Sequence, residues 1–187
     1  MKKEFKLKKL ILPLFIIFIM VFSIFGYFSA SNETIEKEEY HGFSFVKSDQ
    51  GWLTYKEDRP LLIQTDPSLL ESISEISISL DELNTAQKIY LTFNPQEDIY
   101  RASNQLSIQL SSLINTPIVL ACTEDVEECS NTPLKTCRDA TNSVKVIQFK
   151  QSEIPKMSYE NNCLSTEGDY QNALIFIDKL TLILNGI

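Results

Sequence analysis

Glycine is scarce in this sequence: five glycines occur among 187 residues, and they are widely separated. A phosphate-binding loop needs several glycines close together, because its backbone must approach the phosphate, so the common nucleotide-binding loops are excluded. There is also no Gly-x-Ser-x-Gly motif, which excludes the nucleophile elbow of the α/β-hydrolases. We therefore expect no cofactor and find no recognisable catalytic motif.

Histidine is scarcer still, with His41 alone, and no Cys-x-x-Cys pair is present. These absences argue against a zinc site or a thioredoxin-like redox centre. Outside the cytoplasm, an even set of separated cysteines is most simply explained by two structural disulfides, with thiol exchange as a minor alternative. Three pairings are possible, and we favour Cys122 with Cys129 and Cys137 with Cys163.

Charge is absent from residues 10–28, a run of apolar and small residues. Nineteen helical residues span about 28 Å, close to the hydrocarbon thickness of a bilayer, whereas the apolar region of a cleaved signal peptide usually has about 7 to 15 residues. Five lysines and one glutamate precede this run. By the positive-inside rule, residues 1–9 are predicted to be a cytoplasmic tail, 10–28 a transmembrane helix, and the rest extracytoplasmic.

The chain beyond residue 9 is acidic, with 24 acidic and 12 basic residues and a net charge of −12. Such a domain would repel nucleic acid, which we exclude as a partner. Residues 29–40 are mostly polar and predict a tether between the membrane and a folded domain. Asn32 lies in the only Asn-x-Ser/Thr sequon and is a possible glycosylation site, although this short pattern is frequent by chance.

Residues 41–187 predict a single α/β domain with a small mixed sheet, with α+β as the alternative class. Alternating apolar residues on either side of Ser48–Gly51 predict a hairpin. Residues 123–143 are expected to form an ordered loop that the cysteines staple. Further strands are expected at 61–64, 76–80, 144–149, 157–159 and 163–164, a helical turn at 66–67, and a C-terminal helix over 169–184.

A βαβ unit is predicted between Lys88 and Cys122. Strand patterns at 89–93 and 118–121 flank a segment with helical periodicity. Asn94 is expected to cap the helix, with Pro95 at its first position and Glu97 completing a capping box. The crossover should be right-handed, so the two strands should be parallel.

Acidic and amide side chains follow both strands of this unit: Asn94, Glu97 and Asp98 after the first, Glu124 and Asp125 after the second. Ligands collect at the carboxyl ends of parallel strands, and these oxygens suit a hard cation such as Ca²⁺. The structural explanation, helix caps and solvated loop charge, is the stronger one, because no Asp-x-Asp-x-Asp-Gly loop accompanies them.

Several stretches resemble a group of uncharacterised, single-pass membrane-anchored, archaeal-type proteins with a four-cysteine extracytoplasmic domain. They are His41–Phe43, Gly51–Leu53, the strand at 88–95, the cysteines with the segment 133–137, and the closing Leu184–Ile187. The resemblance implies the topology and brings no activity.

The expected function is that of a binding or envelope-assembly module at the cell membrane. It would contact the membrane through residues 10–28 and another envelope protein through its domain. The alternative is a hydrolase or transferase that uses the carboxylates at the strand ends, with a divalent metal.

Overall fold

The computed structural model describes residues 13–23 and 36–187. Residues 13–23 form a helix (α1) whose side chains are exposed. No helix in these two ranges is both long and apolar enough to cross a bilayer. The predicted tail 1–9, the remaining parts 10–12 and 24–28 of the predicted membrane segment, and tether residues 29–35 with Asn32 lie outside the described residues.

Residues Lys37–Ile187 form one compact unit of mixed α/β structure. It contains two sheets, where a single mixed sheet was expected. The four-stranded sheet consists of β1 (Lys37–Tyr40), β2 (Phe43–Ser48), β3 (Gly51–Lys56) and β4 (Arg59–Ile63), in that order and antiparallel. The five-stranded sheet consists of β5 (Lys88–Phe93), β6 (Ile118–Cys122), β7 (Val144–Gln151), β8 (Lys156–Glu160) and β9 (Cys163–Gly168). The α-helices of this unit are α2 (Pro67–Leu70) and α3 (Leu80–Asn84) between β4 and β5, α4 (Tyr100–Leu113) between β5 and β6, and α5 (Tyr170–Leu184) after β9.

The four-stranded sheet is a meander joined by tight turns. The predicted hairpin is confirmed as β2 and β3, and another hairpin precedes it, because His41 and Gly42 both adopt positive φ. Two successive positive φ angles match the twist of paired strands. The folded unit therefore starts at β1, before the predicted boundary at His41, with Tyr40 only 1% exposed. Three exposed charged residues precede Tyr40 in β1, so no hydrophobic pattern marked it as a strand.

The five-stranded sheet has the order β6-β5-β7-β9-β8, and all neighbours are parallel except β8 and β9. The predicted βαβ unit is confirmed as β5-α4-β6. Both long helices pack on one face of this sheet, where Ile89, Leu91, Ile147 and Leu164 are buried against them. The loop 123–143 lies against the other face, where the Cys137 N–H donates to Gln148 Oε1 at 3.1 Å.

Helix α5 is buried on two sides. Ala173, Ile177 and Leu180 belong to the core beneath the five-stranded sheet. Leu182 belongs to a second core that contains Phe45 and other side chains of the four-stranded sheet. Burying a leucine in this way stabilises the fold by about 2 kcal/mol. Both sheets therefore pack against this helix.

Two local predictions were wrong. The strand expected at 76–80 is absent: Leu80 begins α3, and Ser79 caps that helix by accepting a hydrogen bond from Glu82 N at 3.2 Å. The predicted capping box at Asn94 is also absent, because α4 begins only at Tyr100 and has no side-chain cap. Asn94 accepts from Gln96 N at 3.0 Å and so closes a turn before the helix.

Candidate functional site

The residues predicted to follow β5 and β6 are only partly brought together. Asn94 Nδ2 lies 3.4 Å from Glu124 Oε2, across the ends of these two strands. Asp98 forms an exposed ion pair with Arg101 at 3.6 Å. Asp125 is exposed. Within residues 13–23 and 36–187, no group of three His, Cys, Asp or Glu side chains converges in a way that would hold a metal ion.

Glu97 makes a contact that differs from the predicted helix cap. Connections leave β5 and β7 in opposite directions, and in open α/β sheets the crevice between such strands is the usual ligand site. Here the Glu97 carboxylate accepts a hydrogen bond from Gln151 N, the last residue of β7, at 2.9 Å. This contact joins the two sides of the crevice, so the position is used for structure.

All four cysteines are paired, which confirms the prediction of two disulfides, and they follow the favoured pairing, Cys122–Cys129 and Cys137–Cys163. The first holds the loop 123–143 beside β6, where Cys122 exchanges backbone hydrogen bonds with Pro133 and Lys135 at 2.9 and 2.8 Å. The second joins that loop to the first residue of β9. Together they fix one edge and one face of the five-stranded sheet.

The two edges of this sheet differ. The loop 123–143 covers part of β6, with an isolated bridge between Cys122 and Leu134. At the other edge, β9 is the only strand among the described residues that pairs with β8. A strand that pairs on one side only can bind another strand where the backbone groups of its other side are accessible. We define the outer side of β8, Lys156–Glu160, as the β8 edge.

The turn between β8 and β9 shows which backbone groups point outward. Asn161 and Asn162 have φ of 51° and 65°, as in a two-residue type I′ hairpin closed by Glu160 and Cys163. The closing pair of such a hairpin exchanges hydrogen bonds, and bonded and non-bonded pairs then alternate along the ladder. Consequently, the backbone N–H and C=O groups of Met157 and Tyr159 are directed away from β9, but Met157 is buried, so only those of the partly exposed Tyr159 lie at an accessible part of the β8 edge.

Cavities lie on both faces of β8. One, of about 230 Å³, is on the side of α5 and is lined by apolar groups that include Ile73, Met157 and Phe176. The other, of about 460 Å³, is on the opposite face, where Ser158 and Glu160 line it together with Arg138 and the Cys137–Cys163 disulfide. Alternate side chains of a bound strand point to opposite faces, so a strand added at the β8 edge would reach both cavities.

A polar network holds β8 in place. Lys145, only 4% exposed, donates to Glu82 Oε1 at 2.7 Å and to Asn162 Oδ1 at 2.5 Å. The Tyr159 hydroxyl donates to the same Glu82 oxygen. Burial raises the pKa of Glu82, but the hydrogen bonds from Lys145 and Tyr159 and the lysine charge outweigh burial and lower it overall. Burial and the Glu82 carboxylate raise the pKa of Tyr159. The network joins α3, β7 and the β8–β9 hairpin.

A second buried amine lies between α5 and the four-stranded sheet. Lys179 is fully buried, and its Nζ donates to Tyr40 Oη at 2.6 Å and to Glu75 Oε1 at 2.5 Å. Burial lowers the pKa of Lys179, but the bonds to Glu75 and Tyr40 more than offset burial and raise it. A nucleophilic lysine needs a lowered pKa, so this amine is a structural cation.

Sequence reasoning missed these sites. Lys145 and Lys179 each stand among apolar residues of a strand or helix, a weak signal of a buried ion pair. The β8 edge had no sequence signal beyond its short strand pattern, because exposure of an edge depends on strand order.

Comparison with protein-family models, with curated proteins and with solved structures gives no match for this chain. The resemblance to archaeal-type membrane-anchored proteins therefore stays a prediction.

Proposed function

We propose that this chain is an assembly module of the cell envelope: residues 10–28 anchor it in the membrane, and the unit Lys37–Ile187 lies outside and binds a protein strand at the β8 edge. The single observation that carries the proposal is the edge strand itself, which among the described residues pairs with β9 alone, has the outward backbone groups of the partly exposed Tyr159 and lies between two cavities.

Placement outside the cytoplasm is supported by the disulfides. Disulfides persist in oxidising compartments and are rare where thiols are kept reduced. The chain pairs all four of its cysteines, in loops of sequence separation 7 and 26. The five lysines before the apolar run favour the same orientation.

Binding is favoured over catalysis because the strand-end carboxylates are spread among separate contacts. Glu97 is bonded to β7 and Asp98 to Arg101. The polar network at Glu82 fixes the position of the edge strand β8. A preorganised surface of this kind loses less entropy on binding. Backbone hydrogen bonds would supply affinity, and the apolar and polar cavities would supply specificity.

Location is tested by alkylating the full chain in its native membrane before and after reduction. We expect no reactive thiol before reduction and four after it. Four reactive thiols before reduction would place the domain in the cytoplasm and overturn the location.

Edge binding is tested by hydrogen exchange of the amides of β8, read residue by residue. The full chain is compared in its native membrane and as dilute purified protein in detergent. We expect the Tyr159 amide to exchange slowly in the membrane and fast when dilute. The Ser158 and Glu160 amides, bonded to β9, are internal controls that stay slow in both states. Fast exchange of the Tyr159 amide in the membrane would mean that nothing binds the edge there.

A further inference from the structure

We propose that the Cys137–Cys163 disulfide is a site of reversible thiolation, at which a small zwitterionic thiol, a free amino acid or short peptide with a cysteine side chain, forms a mixed disulfide with Cys137. This inference goes beyond the proposed function, because it requires neither the membrane anchor nor a strand at the β8 edge. Three features support it: the different surroundings of the two disulfides, the charges that line the cavity beside one of them, and the contacts that hold the loop 123–143 independently of it.

The two disulfides differ in their access to solvent. Cys122 and Cys129 are 2% and 3% exposed, so both ends of the first disulfide are buried. Cys137 is partly exposed, and Cys137 and Cys163 both line the polar cavity of about 460 Å³. This volume lies within the range of about 300 to 1,000 Å³ that small-molecule sites have. A small solute can therefore reach the second disulfide from the cavity.

Side-chain direction places the second disulfide on the cavity side of the sheet. Successive residues of a strand point to opposite faces, and the neighbour of Cys163 in β9, Leu164, is buried in the core beneath the helices. The Cys163 side chain therefore lies on the opposite face, where the cavity is. The N–H and C=O groups of Cys137 are already hydrogen-bonded, to Gln148 and Ala140. The disulfide is thus the reactive group that the two residues bring to the cavity.

Two charged side chains of opposite sign line the same cavity: Arg138, next to Cys137, and Glu160, at the end of β8. Neither side chain forms a hydrogen bond or an ion pair with any residue that the structure describes. Ser158 and Ser165 add hydroxyl groups to the cavity wall. The Arg138 guanidinium suits a carboxylate, and the Glu160 carboxylate suits an ammonium group. A thiol that carries both groups, as a free amino acid does, matches this wall better than a neutral thiol.

The exchange balances with the thiol as its only co-reactant. The incoming thiolate attacks Sγ of Cys137, the more exposed of the two cysteines, and forms a new S–S bond. The bond to Cys163 breaks, its electron pair stays on the Cys163 sulfur, and this thiolate takes a proton from water. The incoming sulfur is oxidised to a disulfide while the Cys163 sulfur is reduced to a thiol. Attack of the Cys163 thiolate on Cys137 reverses the step, so the protein disulfide is the resting state without excess thiol.

Other contacts keep the loop in place when this disulfide opens. The Cys137 N–H donates to Gln148 Oε1 at 3.1 Å, which ties the loop to β7. Thr136 and Asp139 form a capping box beside it, in which Thr136 N donates to Asp139 Oδ2 at 2.8 Å. The buried first disulfide stays closed at the other end of the loop. Thiolation of Cys137 therefore changes the cavity and leaves the sheet folded.

The site is tested by incubating the full chain in detergent at neutral pH with excess L-cysteine, followed by acid quenching and alkylation with N-ethylmaleimide. Non-reducing peptide mass spectrometry then gives the state of each sulfur. We expect the added cysteine on Cys137, maleimide on Cys163, and a Cys122–Cys129 disulfide that opens about tenfold more slowly or not at all, because access limits thiolate attack. No adduct on Cys137, or opening of both disulfides at equal rates, would overturn the site.

Recognition of the thiol is tested by comparing L-cysteine with the uncharged thiol β-mercaptoethanol. The ratio of the two rates removes any effect that a variant has on thiolate attack in general. Arg138→Gln and Glu160→Gln should each lower this ratio about threefold, as expected for the loss of one exposed charge pair. Arg101→Gln and Glu153→Gln, at exposed positions that do not line the cavity, are the matched controls and should keep the wild-type ratio. An unchanged ratio in either cavity variant would overturn the zwitterionic thiol as the ligand.

Discussion

The ammonium group of Lys179 lies 2.5 Å from the carboxylate of Glu75, although only the lysine side chain is buried: it is 0% exposed, and that of Glu75 is 65% exposed. The ion pair is therefore asymmetric. Removing the carboxylate leaves a cation in the core, whereas removing the lysine returns Glu75 to water.

This asymmetry predicts that Glu75→Ala destabilises the fold more than Lys179→Met. An uncompensated buried charge costs about 3 to 5 kcal/mol, of which some is recovered here because Tyr40 still accepts from the ammonium. Lys179→Met should cost about 1 to 3 kcal/mol, mainly through the Tyr40 hydroxyl that it leaves unpaired. Urea unfolding of both variants at neutral pH measures the difference. The reverse order would show that the carboxylate contributes little.

The second prediction concerns acid. The pKa of Glu82 is lowered in the folded state from its ordinary value of 4.5, so the unfolded chain binds its proton more tightly. Its contribution to stability is therefore fully present above about pH 4.5 and is lost as pH falls through the lower folded value. Between about pH 5 and pH 3, Glu82→Gln should lose less unfolding free energy than the wild type.

Asp178 provides a control of opposite sign. Burial raises its pKa, despite the hydrogen bonds that it accepts from Thr65 and Gln64, so acid favours its folded form. Asp178→Asn should therefore lose more stability on acidification than the wild type. Urea midpoints over the pH series test both variants, and equal slopes for all three proteins would contradict the assignment.

The disulfides should contribute unequally. In the chain-entropy relation, the stabilisation grows with loop length: about 2.5 kcal/mol for the pair separated by 7 residues and about 3.5 kcal/mol for the pair separated by 26. Replacing Cys137 and Cys163 together by serine should therefore lower the free energy of unfolding more than replacing Cys122 and Cys129. Each double replacement avoids an unpaired thiol. Equal losses would mean that strain or unfolded-state structure outweighs loop length.

Local signals in the sequence predicted much of the five-stranded sheet. The alternation at 89–93 and the helical periodicity after it depend on short-range spacing, and β5, α4 and β6 follow them. The C-terminal helix was predicted over 169–184 and is found at Tyr170–Leu184.

The features that the sequence did not predict depend on contacts between residues far apart in the chain. Asp178 and Lys179 in the middle of α5 are buried, and their partners Thr65 and Tyr40 lie far away in the sequence. Similarly, Glu97 has the spacing of a capping residue, yet it bonds to Gln151, 54 residues away. Such pairs form only once the strand order is set, so no local pattern identifies them.

The Tyr159 hydroxyl links the edge strand β8 to Glu82 of α3. Tyr159→Phe keeps the ring in the core and removes only the hydroxyl that donates to Glu82, which retains Lys145 as a partner. The expected cost is about 1 kcal/mol, since no buried group is left without a hydrogen bond. Tyr55→Phe is the matched control, because Tyr55 is 61% exposed and its replacement should change stability by less than about 0.5 kcal/mol. If the network holds the edge strand, amides of the β8–β9 hairpin should exchange faster in Tyr159→Phe than in Tyr55→Phe, by more than the amides of β5. A uniform increase across the sheet would show that Tyr159 stabilises the whole unit and does not fix the edge in particular.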